Sequence, residues 1–370
     1  MKYPAFLPSD GTIGFVAPSF GCATEPYRSA FINAQKKWKE SGYRFKFGPN
    51  CYVEEGIGIS NTPPKCAAEL QEAYCDSEID VIISCGGGEL MCEILDYVDF
   101  DKLAGAKPKW YMGYSDNTNF TFLLNTLCDT ASIYGPCAAA FGMEPWHSSL
   151  QDAMDLLRGK KLDFAGYDKW EKESLKDETN PLVPYHVTEP SRIHTFSCGS
   201  QESTDGDEAE NFFTDRSNPL KEYDLAMGGE LTIEGRLLGG CIDCLVNLPG
   251  TKYDRVREFT ERYKEDGILW FLEACDLNVM GIRRAIWHME HAGWFRYCKG
   301  FLIGRPRIGM EEMMGLDQYH AVCDVVSKYR VPVLMDLDIG HLPPMIPLIG
   351  GSMAKVTAGR GKYHVEMRLV

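Results

Sequence analysis

Residues 107–118 read Lys-Pro-Lys-Trp-Tyr-Met-Gly-Tyr-Ser-Asp-Asn-Thr. The apolar, aromatic run reads as a buried strand that stops at Gly113. An Asn- and Thr-rich segment then opens a stretch in which Phe120, Leu123, Leu124 and Leu127 recur at helical spacing. Ser115 therefore occupies the corner between strand and helix. A serine there projects its hydroxyl above the carboxyl edge of a sheet, where amides at the helix start also point. Two uses fit: a nucleophile flanked by N–H donors, or a plain capping serine. The motif is Gly-x-Ser-x-Asn and lacks the final Gly of the usual nucleophile elbow.

Outward from this corner, strand and helix patterns alternate. Thr12–Ala17 and Ile79–Ser84 read as buried strands, and Ala131–Tyr134 as another. Helices are expected from about Thr24 to Gly42, from Thr62 to Tyr74, from Leu90 to Tyr97 and over Ser148–Leu157. Fully apolar strands alternating with helices predict an α/β fold with a doubly wound parallel sheet over residues 1–165. Residues 166–228 are polar and aperiodic, with an acidic patch at Glu202–Glu210, and read as a linker, a lid or an inert loop. The alternation resumes over 229–370 as a smaller α/β domain with a mixed or barrel-like sheet. Its strands are Ile233–Leu238, Ile268–Leu272, Gly300–Gly304 and Val331–Leu337, and a hairpin around Gly359-Arg360-Gly361 closes it.

The 370 residues carry 53 acidic against 38 basic side chains, a net charge of −15. Such a surface repels nucleic acid and anionic membranes, and the apolar runs are strand-sized, too short for a membrane span. Pro4, Pro8 and Asp10 interrupt any secretory-leader pattern, and the fourteen cysteines are scattered through apolar runs. Reduced, buried thiols and a cytoplasmic location are the expectation.

A serine hydroxyl needs a base, and the base needs an orienting group. Among eight histidines, His341 follows a buried strand and Gly340 and precedes Leu342-Pro343-Pro344, which fixes its setting. His288 and His291 share a helical stretch and read as a helix face, with a metal pair as the other reading. Glu273 ends the apolar run Ile268–Leu272, so it is either a strand-end glutamate or the acid that orients His341. Gly86-Gly87-Gly88 opens another strand-to-helix junction, suited to cradling a phosphate or to donating N–H to an oxyanion. The oxyanion role, shared with the Asp116 amide, is favoured because no Gly-Lys-Ser/Thr follows. Arg305 and Arg307 could bind a carboxylate or form surface ion pairs. Cys241 and Cys244 read as packing thiols ahead of a metal or redox pair.

Four ordered motifs carry a family resemblance. They are Gly113-Tyr114-Ser115-Asp116-Asn117-Thr118, Gly235-Arg236-Leu237-Leu238-Gly239-Gly240, Phe271-Leu272-Glu273 and Gly340-His341 with Pro344-Met345. Together they resemble the LD-carboxypeptidase and microcin-immunity serine peptidases over nearly the whole chain outside 166–228. The resemblance implies Ser115 as nucleophile, His341 as base, Glu273 as its orienter, and an oxyanion hole from the Asp116 and Gly87 amides. It also implies a site between two domains, no metal or organic cofactor, and a homodimer. The substrate would be a cell-wall peptide (a muropeptide losing a terminal D-amino acid) or an aminoacyl-nucleotide carrying an acidic residue. Cys241, Ala274, Cys85 and Gly88 depart from the family's usual residues. Rival expectations are a non-catalytic phosphate- or nucleotide-binding protein, and a thiol enzyme using Cys85 or Cys137.

Overall fold

The computed structural model describes residues 1–197 and 229–370. In chain order the strands are β1 (Thr12–Val16), β2 (Arg44–Phe47), β3 (Val81–Ser84), β4 (Trp110–Gly113), β5 (Ser132–Tyr134), β6 (Asp163–Ala165), β7 (Lys169–Trp170) and β8 (Glu189–Pro190). They continue with β9 (His194–Ser197), β10 (Leu231–Cys241), β11 (Ile268–Glu273), β12 (Cys298–Gly304), β13 (Pro332–Leu337), β14 (Leu348–Gly350), β15 (Met353–Gly359) and β16 (Lys362–Arg368).

The first sheet has the order β14-β5-β4-β3-β1-β2. Strands β1 to β5 pair in parallel, and β14 adds an antiparallel edge. Strands β1, β3 and β4 are wholly buried, as their continuous Val, Ile, Phe and Met runs require of a sheet covered on both faces. Strand order reverses between β1 and β3. The crevice beyond the carboxyl ends of strands at such a reversal is where open α/β sheets hold ligands. The loops at Ser19, Gly86–Gly88 and Ser115 all leave from those ends.

The second sheet runs β6-β16-β15-β10-β11-β12-β13-β9. Its centre, β10 to β13, is parallel, and antiparallel strands flank it on both sides. Its mixed pairing is the one expected from the sequence, and its two edge strands, β6 and β9, come from residues before 229. Gly239 lets β10 close on its neighbour, since a Cβ there would lie 1.7 Å from the Phe271 carbonyl oxygen. A Cβ on Gly240 would lie 2.6 Å from Thr118 Cγ2, and the next residue, Cys241, donates its N–H to Thr118 Oγ1 at 3.0 Å. The double glycine thus lets the second sheet dock against the helix Thr118–Thr126, which leaves the Ser115 corner. One apolar cluster includes Phe15, Trp110 and Ile133 of the first sheet with Leu237, Phe271 and Leu334 of the second. The two sheets therefore share a core, and burial at about 25 cal/mol per Å² of apolar surface holds them together.

Three local differences from the sequence reading stand out. Met91–Tyr97 forms a 3-10 helix, the tighter coil used in short connectors, and its first N–H is taken by the Asp116 carboxylate at 2.9 Å. Leu348–Gly350 returns from the second half of the chain to the first sheet. In the described part of the middle excursion, β9 pairs with β13 of the second sheet, while the Leu182 carbonyl accepts the Glu144 N–H at 2.8 Å and Tyr185 packs on His147 in the first half of the chain. The remainder, including Glu202–Glu210, falls outside the described residues. Among the described residues, no helix is long and apolar enough to cross a membrane.

Candidate active site

Ser115 has φ = +62°, a left-handed conformation uncommon for a residue with a Cβ. Strain of this kind persists only where the surroundings impose it, and it marks the sharp elbow that lifts a hydroxyl above a sheet. The surroundings are specific. Asn117 Nδ2 donates to the Gly86 carbonyl at 2.8 Å and to the Tyr114 carbonyl at 3.1 Å, tying the corner to the glycine loop. Asp116 is 3% exposed and accepts hydrogen bonds from Ser19 Oγ (2.6 Å), Met91 N (2.9 Å) and Asn119 Nδ2 (3.0 Å). Burial still outweighs these donors and lifts its carboxyl to about 6.

His341 arrives from the other sheet. Ser115 Oγ donates to its Nε2 at 2.8 Å, and its Nδ1 donates to Glu273 Oε2 at 2.8 Å. Glu273 is fully buried at the end of β11. Its other oxygen accepts the Tyr134 hydroxyl at 2.5 Å, and that same hydroxyl accepts the Ser115 N–H at 3.3 Å. Burial opposes the Glu273 charge, but the His341 imidazole and the Tyr134 and Cys241 donors overcome it and hold the carboxyl below its ordinary value. Burial likewise pulls the His341 imidazole down, but the Glu273 carboxylate and the Cys275 thiol prevail and raise it. The pair is arranged to favour an imidazolium when a proton reaches Nε2.

The glycine loop faces the serine. A Cβ on Gly87 would lie 3.0 Å from Ser115 Cβ and 3.1 Å from its Oγ. Gly87 turns its carbonyl to the Phe20 N–H at 3.1 Å, which fixes that peptide. Gly86 and Gly88 are equally tight, since a Cβ would meet the Phe20 carbonyl oxygen at 3.1 Å and Ser19 Oγ at 2.3 Å, respectively. Backbone N–H groups can thus come close to an atom bonded to Ser115.

The structure therefore brings Ser115, Asp116, Glu273, His341 and Gly86–Gly88 into one place from two sheets. It does not offer Arg305 in the same way. Its guanidinium is 3% exposed, ion-paired with Asp338, and bonded to the Asp336 carbonyl at 2.6 Å. Arg307 is half-exposed beside Cys275 and Asp276. Tyr134 and Cys275 contribute although the sequence did not single them out, and Asn117, there only a member of the serine motif, ties the corner to the glycine loop. Tyr134 had the same signal as Glu273, a polar group closing an apolar strand.

Residues 13–135 match the LD-carboxypeptidase N-terminal domain, and residues 234–356 match the LD-carboxypeptidase C-terminal domain. The chain belongs to the LD-carboxypeptidase family, with the MccF-like proteins among its relatives. A putative carboxypeptidase of Treponema pallidum (strain Nichols) is 23% identical, covering 98% of this chain and 94% of its own. The microcin C7 self-immunity protein MccF of Escherichia coli is 22% identical, covering 91% of this chain and 88% of its own. Among solved structures, the MccF-like protein from Bacillus anthracis strain Ames has a TM-score of 0.76 at 18% identity and full coverage of both chains. MccF in complex with aspartyl sulfamoyl adenosine has a TM-score of 0.75 at 19% identity, covering 100% of this chain and 99% of its own. At those identities the structural likeness establishes the mixed α/β fold that the chain shares with them.

Proposed function

We propose that this LD-carboxypeptidase family member is a serine amide hydrolase that works by acyl transfer. Ser115 is the nucleophile, His341 the general base and acid, and Glu273 the orienting carboxylate. His341 Nε2 takes the Ser115 proton as Oγ bonds to the substrate carbonyl carbon. The resulting oxyanion is met by the Gly87 and Asp116 amides. The imidazolium then protonates the leaving amine, the C–N bond breaks, and an acyl-serine remains. Water, deprotonated by His341, releases the acid and restores Ser115. The observation that carries this reading is the unbroken relay from Ser115 Oγ through His341 to Glu273, 2.8 Å at each step.

The substrate read first is a cell-wall peptide that loses a terminal D-amino acid, in keeping with the family. A second reading is an amide between an acidic amino acid and a nucleotide moiety. It draws support from fold neighbours held with aspartyl sulfamoyl adenosine and glutamyl sulfamoyl guanosine. We place the site between a 1–165 unit and a 229–370 unit of a cytoplasmic homodimer that needs no cofactor. The thiol alternative loses ground because burial pushes the Cys137 thiol up to about 12 and the Cys85 thiol well above its ordinary value. Mass spectrometry of products tests the choice. The protein is incubated separately with a muropeptide tetrapeptide and with aspartyl and glutamyl sulfamoyl adenosine. Release of D-alanine supports the first reading, release of the acidic amino acid the second, and a failure to cleave any of them counts against both.

A further inference from the structure

Burying an ion pair is a poor way to gain stability, because apolar residues of similar volume often serve as well or better. Arg305 and Asp338 form such a pair, 3% and 1% exposed, and their bonds lead to the histidine. Asp338 follows β13 and precedes His341 by three residues. One carboxylate oxygen meets the Arg305 guanidinium. The other accepts from the Tyr167 N–H at 2.9 Å and the Tyr363 hydroxyl at 3.1 Å. Its own N–H donates to that tyrosine hydroxyl at 3.0 Å, and its carbonyl accepts the Ile346 N–H at 2.8 Å. That last bond closes residues 338–346 into a loop with His341 inside it.

Other contacts stiffen the same loop. Arg305 Nη1 holds the carbonyl of Asp336, a non-glycine residue at φ = +64°. The Asp336 carboxylate takes Gln318 Nε2 at 3.0 Å and the Tyr319 hydroxyl at 2.9 Å, so this strained residue is fixed from three directions. Gly304, just before Arg305, is wedged between both carriers of the relay: a Cβ there would lie 2.1 Å from the Ile339 carbonyl oxygen and 3.0 Å from Glu273 Cβ. On the far side of the loop, the Glu171 N–H donates to the Pro343 carbonyl at 2.7 Å. Arg305 also lies over the Trp170 ring at 5.3 Å. The 166–171 segment thus grips both the clamp and the loop.

We infer that Arg305 and Asp338, latched by Tyr363, are positioning residues that set the His341 imidazole against Ser115 and Glu273. They act through the loop, while the substrate meets Ser115, His341 and the glycine amides. The inference rests on the acyl-transfer reading above and gives Arg305 a role other than carboxylate binding. Displacing a reacting group by about 1 Å costs on the order of 10²-fold in rate, so a loosened loop has a measurable consequence.

The test begins with fluorophosphonate labelling of the wild-type protein; failure to label Ser115 would overturn the acyl-transfer reading itself. Given labelling, the double variant Arg305→Met/Asp338→Leu replaces the pair with apolar bulk. Two quantities are read: the labelling rate of Ser115, and the far-downfield N–H proton resonance of His341, assigned by its loss in His341→Ala. The expected result is a folded protein with that resonance broadened or absent and labelling slowed roughly 10- to 10²-fold. Wild-type labelling with an intact resonance would overturn the inference. If the double variant does not fold, Tyr363→Phe decides, since it keeps the ion pair and removes only the latch. It should broaden the resonance and slow labelling severalfold, and wild-type behaviour would overturn the inference equally.

Discussion

The Tyr134 hydroxyl donates to Glu273 Oε1 at 2.5 Å while accepting the Ser115 N–H at 3.3 Å, so one oxygen joins the Glu273 carboxylate to the Ser115 backbone. Replacing Tyr134 by Phe removes a hydrogen bond to a buried charge, worth about 1.5–3 kcal/mol. It also frees the strained Ser115 peptide. Tyr134→Phe is expected to lower stability by that amount in urea denaturation and to slow turnover on the order of 10-fold. A variant with unchanged midpoint and rate would show that this oxygen bears no load.

Gly87 faces Ser115 closely, since a Cβ would sit 3.0 Å from Ser115 Cβ and 3.1 Å from Oγ, so one side must give by a few tenths of an ångström. Gly87→Ala should fold, because the neighbour that must give is a side chain, but it should displace the loop amide from the oxyanion. Loss of one such donor costs roughly 10²–10³ in kcat. The KM of whichever substrate emerges from the product screen should change far less. A change in KM alone would assign the loop to binding.

The relay fixes the sign of the pH dependence. Burial lowers the His341 imidazole, but Glu273 and Cys275 raise it above its ordinary value of 6.5. His341 must be neutral to take the Ser115 proton, so kcat/KM should fall as pH drops through that raised value, with the acid limb centred above 6.5. Glu273→Gln removes the field that raises it. The limb should then move to lower pH while the plateau falls. A limb that stays in place in this variant would mean that another group titrates.

Asp116 gives a stability prediction. Its carboxyl lies at about 6 when folded against 3.8 as an ordinary carboxyl, so the folded state binds the proton more tightly. The stability this contributes is fully present below 3.8 and is lost as pH rises through about 6, an effect on the order of 3 kcal/mol. Chemical denaturation of wild type and Asp116→Asn across this range should show wild type losing ground to the variant as pH rises. Parallel curves would contradict the assignment.

Much of this was legible along the chain, for a physical reason. Ser115, Glu273 and His341 each follow a run of apolar residues that had to be a buried strand, and a polar group there must have a partner. Tyr134 ends a strand too, but an aromatic ring at a strand end reads as core. Arg305 and Asp338 are 33 positions apart, and no local pattern reports a pairing that depends on β12 lying beside β13. Leu348–Gly350 is three residues long, too short for periodicity to reveal that it crosses to the other sheet. Arg44–Phe47 alternates charge and aromatic at an edge without a buried face of its own. The 3-10 helix Met91–Tyr97 starts with its first N–H on the Asp116 carboxylate, 25 residues on, a contact no local pattern reports.

The central claim is that Ser115 forms a covalent bond through His341. The most direct measurement is intact-mass analysis and peptide mapping after incubation with an alkyl fluorophosphonate. A single adduct on Ser115 is expected, absent in Ser115→Ala and formed far more slowly in His341→Ala. Turnover of an amide substrate should fall by on the order of 10⁴–10⁶ in Ser115→Ala. An adduct on another residue, or a Ser115→Ala protein that hydrolyses its substrate as wild type does, would contradict the account.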